Sequence, residues 1–498
     1  MILVAKTGFD NEKYLSLQSK CIKDRIARFG GKLYLEFGGK LFDDFHAARV
    51  LPGFQPDSKI RMLYELRDDA EVVIVISADA IEKNKRRGDL GITYDVDCLR
   101  LIDAFREFGL YVGSVCITQF TEQPAAVQFQ KRLEKLGMRV YRHYLIEGYP
   151  ANIPLIVSDE GYGRNDFIET ERSLVVVTAP GPGSGKMATC LSQLYHEHKR
   201  GKKAGYAKFE TFPVWNLPLK HPVNVAYEAA TADLNDVNMI DPFHLEAYGE
   251  TTVNYNRDVE IFPVLSAMLT KISGGERIYK SPTDMGVNMA GNCIFDDEAV
   301  RAASKQEIIR RYYESACLAR QGLLESSVVH RIELLMNQLD ITTADRAPVK
   351  AALEKAEQTG APAAAMELPD GTLITGKTSP LLGASSAMLI NVIKRLANIP
   401  DEIPLLSPAI IEPIQRLKID RLGNHNPRLH VDELLIALSI CAATNPVAKK
   451  ALEQLEKLSG LEAHSTVMLA GVDIQTFKKL GVNMTCEPMS QTKKLYHK

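Results

Sequence analysis

The 498-residue chain has little that would carry it across a membrane, out of a cell or onto nucleic acid. Its most apolar stretch, Glu71 to Ile81, is broken by acidic residues and falls far short of the ~18–20 apolar residues a bilayer crossing needs. The first twenty residues hold too few consecutive apolar side chains for the core of a secretory signal, so a cytoplasmic setting is expected. Charge of neither sign dominates: 60 Lys+Arg stand against 62 Asp+Glu, a formal charge of -2. Such a balance supplies no long-range field for nucleic acid or an anionic bilayer, so neither is expected as a partner, and any anion site must be local. The eight cysteines form no CxxC pair, which argues against a zinc knuckle or redox dithiol and for free thiols. HExxH, G-x-S-x-G and the H-x-E with P-C-x-x-C signature are absent. No internal repeat or low-complexity tract occurs, and 45% hydrophobic with 24% charged residues excludes the disordered and fibrous classes.

What is present is an alternation. From Lys32 to about Glu210, short apolar runs (KLYLEF, AEVVIVIS, LYVGSVCIT, MRVYRHYLI, SLVVVT) exchange with helical patterns, the signature of a largely parallel sheet covered on both faces. VVIVI and LVVVT lack period-two polarity and read as central strands. Between about Asp296 and Gln358 apolar residues recur at helical spacing; a turn follows, and mixed α/β texture resumes. The expected fold is therefore α/β: a mostly parallel, doubly wound sheet, a helical middle segment and a separate α/β C-terminal domain. The expected divisions are residues 1–295, 296–360 and 361–498. The helices of the middle segment need a partner face, from which a homodimer is expected.

Ligands of such sheets bind outside the carboxyl ends of the strands. There the sequence SLVVVTAPGPGSGKMATCLSQLYHEH runs from a buried strand through a Gly/Pro turn into a helix. Gly181, Gly183 and Gly185 let the backbone turn with its N–H groups inward. With Ser184 they form a cofactor-binding candidate, and Lys186 can reach a phosphate as binding or catalytic residue. The turn resembles the phosphate-binding loop of nucleotide enzymes, G-x-x-x-x-G-K-[ST], with two departures: Pro180 replaces the first glycine and Met187 the Mg²⁺-binding hydroxyl. A tight strand-to-helix turn without ligand is the simpler alternative. Lys208, near the end of the next strand, is similar to the phosphate-holding lysine of the subgroup containing dethiobiotin synthetase, and is otherwise a surface lysine at a strand end.

A second glycine turn, Gly38-Gly39-Lys40, is a possible substrate-binding anion site, or a plain turn. From Trp215 to Gly249, polar and acidic residues gather. Among them His221 and Asn224 suit substrate recognition, and Asp241 and His244 suit catalysis, with Asp241 also a Mg²⁺ ligand. Asp before Pro is equally an ordinary helix cap. KSPTDMGVNMAGN, residues 280–292, reads as a substrate loop or a turn. Ser385 and Ser386 suit an anion or a helix cap, and His425, His430, Asp432 and Glu433 a metal or a solvated face.

With EFGGKLFDDFHAARVLPGFQPDSK, APGPGSGKMATCLSQLYHE, HPVNVAYEAATADLNDVNMIDPFH, SPTDMGVNMAG and NPRLHVDELLIALS in hand, the chain is similar end to end to a bacterial family of this length whose members have no assigned function. That resemblance implies a cytoplasmic protein of the same architecture and no particular reaction. The residues themselves lead to an enzyme that binds ATP, another nucleotide or a phosphorylated small molecule, with Mg²⁺, and performs phosphoryl transfer or ATP-driven ligation. Two alternatives stand beside it: an enzyme on a phosphosugar or nucleoside phosphate that uses the turn only as an anchor, and a non-catalytic nucleotide sensor.

Overall fold

A computed structural model describes residues 7–38, 41–87 and 90–491. They fall into two compact units, Thr7–Ser304 and from Lys305 onward, and the division lies within the helix Asp297–Arg320. Among the described residues no helix is long and apolar enough to cross a membrane.

The first unit is built on seven parallel strands: β1 (Leu33–Phe37), β2 (Ala70–Ser77), β3 (Tyr111–Phe120), β4 (Arg139–Tyr144), β5 (Leu174–Thr178), β6 (Gly205–Phe209) and, past the short pair β7 (Asn238–Ile240) and β8 (Val253–Tyr255), β9 (Gly286–Val287). Their order is β4-β3-β2-β5-β1-β6-β9. Every residue of β2 and β5 is buried, as expected of unalternating Val/Ile runs covered on both faces, and so is every residue of β1, whereas the edge strand β4 is half-buried. The helix Lys186–Lys199 packs on β1, β5 and β6, and Asn256–Ile272 packs on that helix.

This order creates two crevices. β2 continues to β3 on one side while β5 continues to β6 on the other, so the connections diverge between β2 and β5. They diverge again between β1, which leads back to β2, and β6, which leads on to β9. The glycine turn after β5 stands between these two openings.

The second unit carries a four-stranded sheet of β10 (Ala363–Glu367), β11 (Leu373–Lys377), β12 (Glu462–Ser465) and β13 (Asn483–Cys486), in the order β11-β10-β12-β13. Only β12 and β13 pair in parallel. The helices Ala347–Thr359 and Ala384–Leu396 pack on this sheet, and Met366, Met388, Leu389, Val392, Leu438 and Phe477 lie in its core. Arg346, the largest fully buried side chain, ties its last two strands together: Nε donates to Thr485 Oγ1 (3.1 Å), and Nη2 to the carbonyls of Ala463 (3.0 Å) and Asn483 (2.6 Å). Nη1 pairs with Glu462, which also takes Arg310 at 2.7 Å.

Candidate functional site

The turn after β5 owes its shape to its glycines. Gly183 (φ +76°) and Gly185 (φ +85°) adopt the left-handed conformation that side chains resist, and Gly185 is the N-cap of Lys186–Lys199. A Cβ at Gly181 would lie 2.2 Å from Tyr94 Oη, so Tyr94 closes one side of the turn. Thr118, at the end of β3, braces the other by donating to the Ser184 carbonyl (2.7 Å). Ser184 Oγ donates back to the Gly181 carbonyl (2.8 Å). The N–H groups of Gly183, Gly185, Lys186, Met187 and Ala188 meet no acceptor among the described residues; the first bond into the helix is Thr189 N–H to Gly185 O. Lys186 is half-buried and makes no hydrogen bond or ion pair among the described residues. A helix of 14 residues with uncapped amides and a free ammonium at its start concentrates positive potential on one spot.

One turn along that helix, Cys190 reports what lies beside Lys186. Burial drives its thiol pKa well up, the Glu36 carboxylate pushes it further, and the Lys186 ammonium pulls it back. Glu36 sits on β1 in register with Lys208 of β6, so both side chains share a face of the sheet. Glu36 accepts from Tyr206 Oη (2.6 Å), and Lys208 donates to Glu210 (2.7 Å) and Asp258 (2.5 Å). Burial opposes the Lys208 charge, but Asp258, Glu210 and Glu36 outweigh it and hold its pKa above the ordinary value. Glu210 is raised, because burial exceeds the pull of Lys208. The buried Tyr255 hydroxyl has no partner among the described residues, and its pKa is driven well up by burial and by Tyr227, Glu210, Asp236 and Asp258. The carboxyl ends of β5, β1 and β6 thus present a positive turn and a negative wall side by side.

Of the residues singled out in the sequence, Gly181, Gly183, Ser184, Gly185 and Lys186 form the turn, and Lys208 belongs to the adjoining wall. Gly38 directly follows β1, with open space where a Cβ would lie; Gly39 and Lys40 fall outside the described residues. The other candidates are elsewhere. Asp241 is fully buried as the N-cap of Pro242–Tyr248: Oδ1 accepts from the amides of Phe243 and His244 (3.0 Å each), and Oδ2 from the Thr283 amide (3.2 Å) and hydroxyl (2.6 Å). Four donors fill its lone pairs. His244 Nδ1 faces Ser281 Oγ at 2.8 Å. Both residues adjoin the segment leading into β9, three strands from β5. His221 caps the helix Pro222–Ala230 through Nδ1 and meets Asp297 at 2.9 Å through Nε2. Asn224 clamps Val214, accepting from its N–H (2.7 Å) and donating to its carbonyl (3.1 Å).

The stretch 280–292 differs from a loop: it supplies β9, held in the sheet by β6. Ser385 and Ser386 lie inside the helix Ala384–Leu396, whose N-cap is Gly383. His430 is itself an N-cap, 3.1 Å from Asp473. Among the described residues no three His, Cys, Asp or Glu converge as a metal-ligand set. Asp241→Asn is expected to lower stability by about 2 kcal/mol, because an amide turned toward the two Thr283 donors loses charge-assisted bonds. Urea unfolding reads this, and unchanged stability would contradict the capping role.

Comparison with known proteins places the chain. Residues 7–340 match the family described as "Domain of unknown function DUF1846, N-terminal", and residues 344–496 the corresponding C-terminal one. A "UPF0371 protein" of Streptococcus pneumoniae (strain JJA) is 59% identical over 493 residues, covering 99% of this chain and 100% of that protein. One from Streptococcus thermophilus is 60% identical over the same length and the same coverage. The chain belongs to the DUF1846 family.

Proposed function

We propose that this member of the DUF1846 family is an enzyme that anchors a phosphorylated small molecule at Gly181–Lys186 and acts on it in the cleft over β5, β1 and β6. One observation carries the reading: a turn of left-handed glycines whose amides, with the half-buried Lys186, face no acceptor among the described residues. Backbone N–H groups at a helix start, backed by an ammonium, match a phosphate in geometry and charge. In this reading Lys208 holds Glu210 and Asp258 in place, its ammonium being engaged with both.

Nucleotide-driven transfer is the second reading, favoured by the likeness of the turn to phosphate-binding loops. The residues at the turn fit Mg²⁺ poorly: Met187 stands in the hydroxyl position, and the Ser184 side chain is buried, its hydroxyl turned to the Gly181 carbonyl; Asp241, away from the turn, is filled by its four donors. The anchor reading therefore leads. A thermal-shift panel of ATP, GTP, pyrophosphate and sugar phosphates, with and without Mg²⁺, separates them, since a ligand at 100 times its Kd adds about 2.7 kcal/mol. A Mg²⁺-dependent shift with ATP or GTP alone would favour the nucleotide reading. Lys186→Met is expected to weaken whichever phosphate compound binds by about tenfold or more, with unfolding unchanged, because the side chain bonds none of the described residues. Undiminished affinity in that variant removes the turn from the site.

A further inference from the structure

Resting on the phosphate reading above, we propose that the ligand is dipolar: a phosphate ester whose far end carries a protonated amine, held by Glu210, Asp258 and Glu36 while the phosphate occupies the turn. The first ground is charge. Beside the positive turn, two carboxylates pair with one ammonium, Lys208, and a third, Glu36, stands in register with it on the same face. A plain phosphate dianion entering this cleft gains at the turn and loses against that wall; a ligand with a cationic end gains at both.

The second ground is a polar group with nothing to bond. Tyr255 is 5% exposed, its hydroxyl has no partner among the described residues, and Glu210 and Asp258 are among the charges that act on it. A buried hydroxyl left unpaired costs free energy that an ammonium N–H donor would recover. The wall also opens outward: the Lys208 side chain is 24% exposed and that of Asp258 14%. The third ground is distance. β5, β1 and β6 are successive neighbours at ~4.8 Å spacing, so the turn after β5 and the wall on β6 stand about 10 Å apart, the span of a small metabolite rather than of one ion.

Calorimetric titration of the full chain with aminohexyl phosphate and with hydroxyhexyl phosphate, in EDTA at pH 7, tests this. The amine is expected to bind about tenfold tighter or better than the alcohol of the same length. Lys186→Met is expected to weaken both probes, whereas Asp258→Asn, or Glu210→Gln should the first not fold, is expected to shrink the preference without weakening the alcohol, which loses a repelling charge. Equal affinity of the two probes for the unaltered protein overturns the dipolar ligand and leaves the phosphate site standing. Failure of both probes and of pyrophosphate at millimolar concentration overturns the two together. A preference that survives both wall variants assigns the amine to some other surface and also overturns the proposal.

Discussion

Lys208→Met is expected to destabilise the first unit by about 3–5 kcal/mol at neutral pH, because it leaves Glu210, Asp258 and Glu36 facing one another without their cation. The loss should depend on pH in a definite direction. Glu210 already has a raised pKa in the intact protein, chiefly through burial, and without Lys208 it rises further. A carboxyl whose folded pKa exceeds its unfolded value contributes stability that is complete below the unfolded pKa and vanishes as pH climbs through the folded one. The gap between variant and parent therefore widens from about pH 4.5 to pH 8, where the carboxyls must ionise. Chemical unfolding at those two values decides it. A gap that stays constant or narrows toward high pH would show that the wall is solvated and that Lys208 is not its counter-charge.

Arg346→Met is the second large effect, and it falls on the C-terminal unit. The guanidinium is wholly buried and donates to the side chain of Thr485 and the carbonyls of Ala463 and Asn483, besides pairing with Glu462. Methionine keeps much of the volume but removes all four bonds at once, Glu462 retaining Arg310 and the Ala463 carbonyl retaining the Thr485 hydroxyl, so about 2–4 kcal/mol is expected to be lost. Because two of those acceptors are on β12 and two on β13, the damage should be local. Amide hydrogen exchange is expected to quicken in residues 462–465 and 483–486 well before it does in the seven-stranded sheet. Uniform acceleration across both sheets, or none, would contradict the strapping role.

The parallel sheet was legible in the sequence because VVIVI and LVVVT show no alternation, and only a doubly covered strand tolerates that. The turn was legible because three glycines at alternate positions between strand and helix leave few other shapes. Strand order was not, since the insertion of β1 between β5 and β6 rests on pairings far apart in the chain. For the same reason Tyr94, which closes the turn, carried no local signal. Asp241 shows how a motif can mislead: Asp-Pro fits a cap and a metal ligand alike, and the donor that fills it, Thr283, lies some 40 residues on. The two-residue strand β9 is too short to have a period at all. One signal went unread. Glu36 interrupts an otherwise apolar strand, and a carboxylate placed there needs partners, which Tyr206 supplies and Lys208, in register with it, electrostatically reinforces.

The position of β1 bears on how this protein is made. Its residues leave the ribosome first among the strands, yet both neighbours come much later: β5 begins at Leu174 and β6 at Gly205. At roughly 5–20 residues per second, translation needs on the order of ten seconds to bring β5 out after β1. Through that interval LYLEF is a nascent apolar segment with two unsatisfied edges, while β2 and β3 can already pair. The interior of the sheet thus closes only when β6 emerges, around a strand synthesised first, and the cleft over β5, β1 and β6, with Asp258 in its wall, cannot exist on a nascent chain until just over half of it has been made.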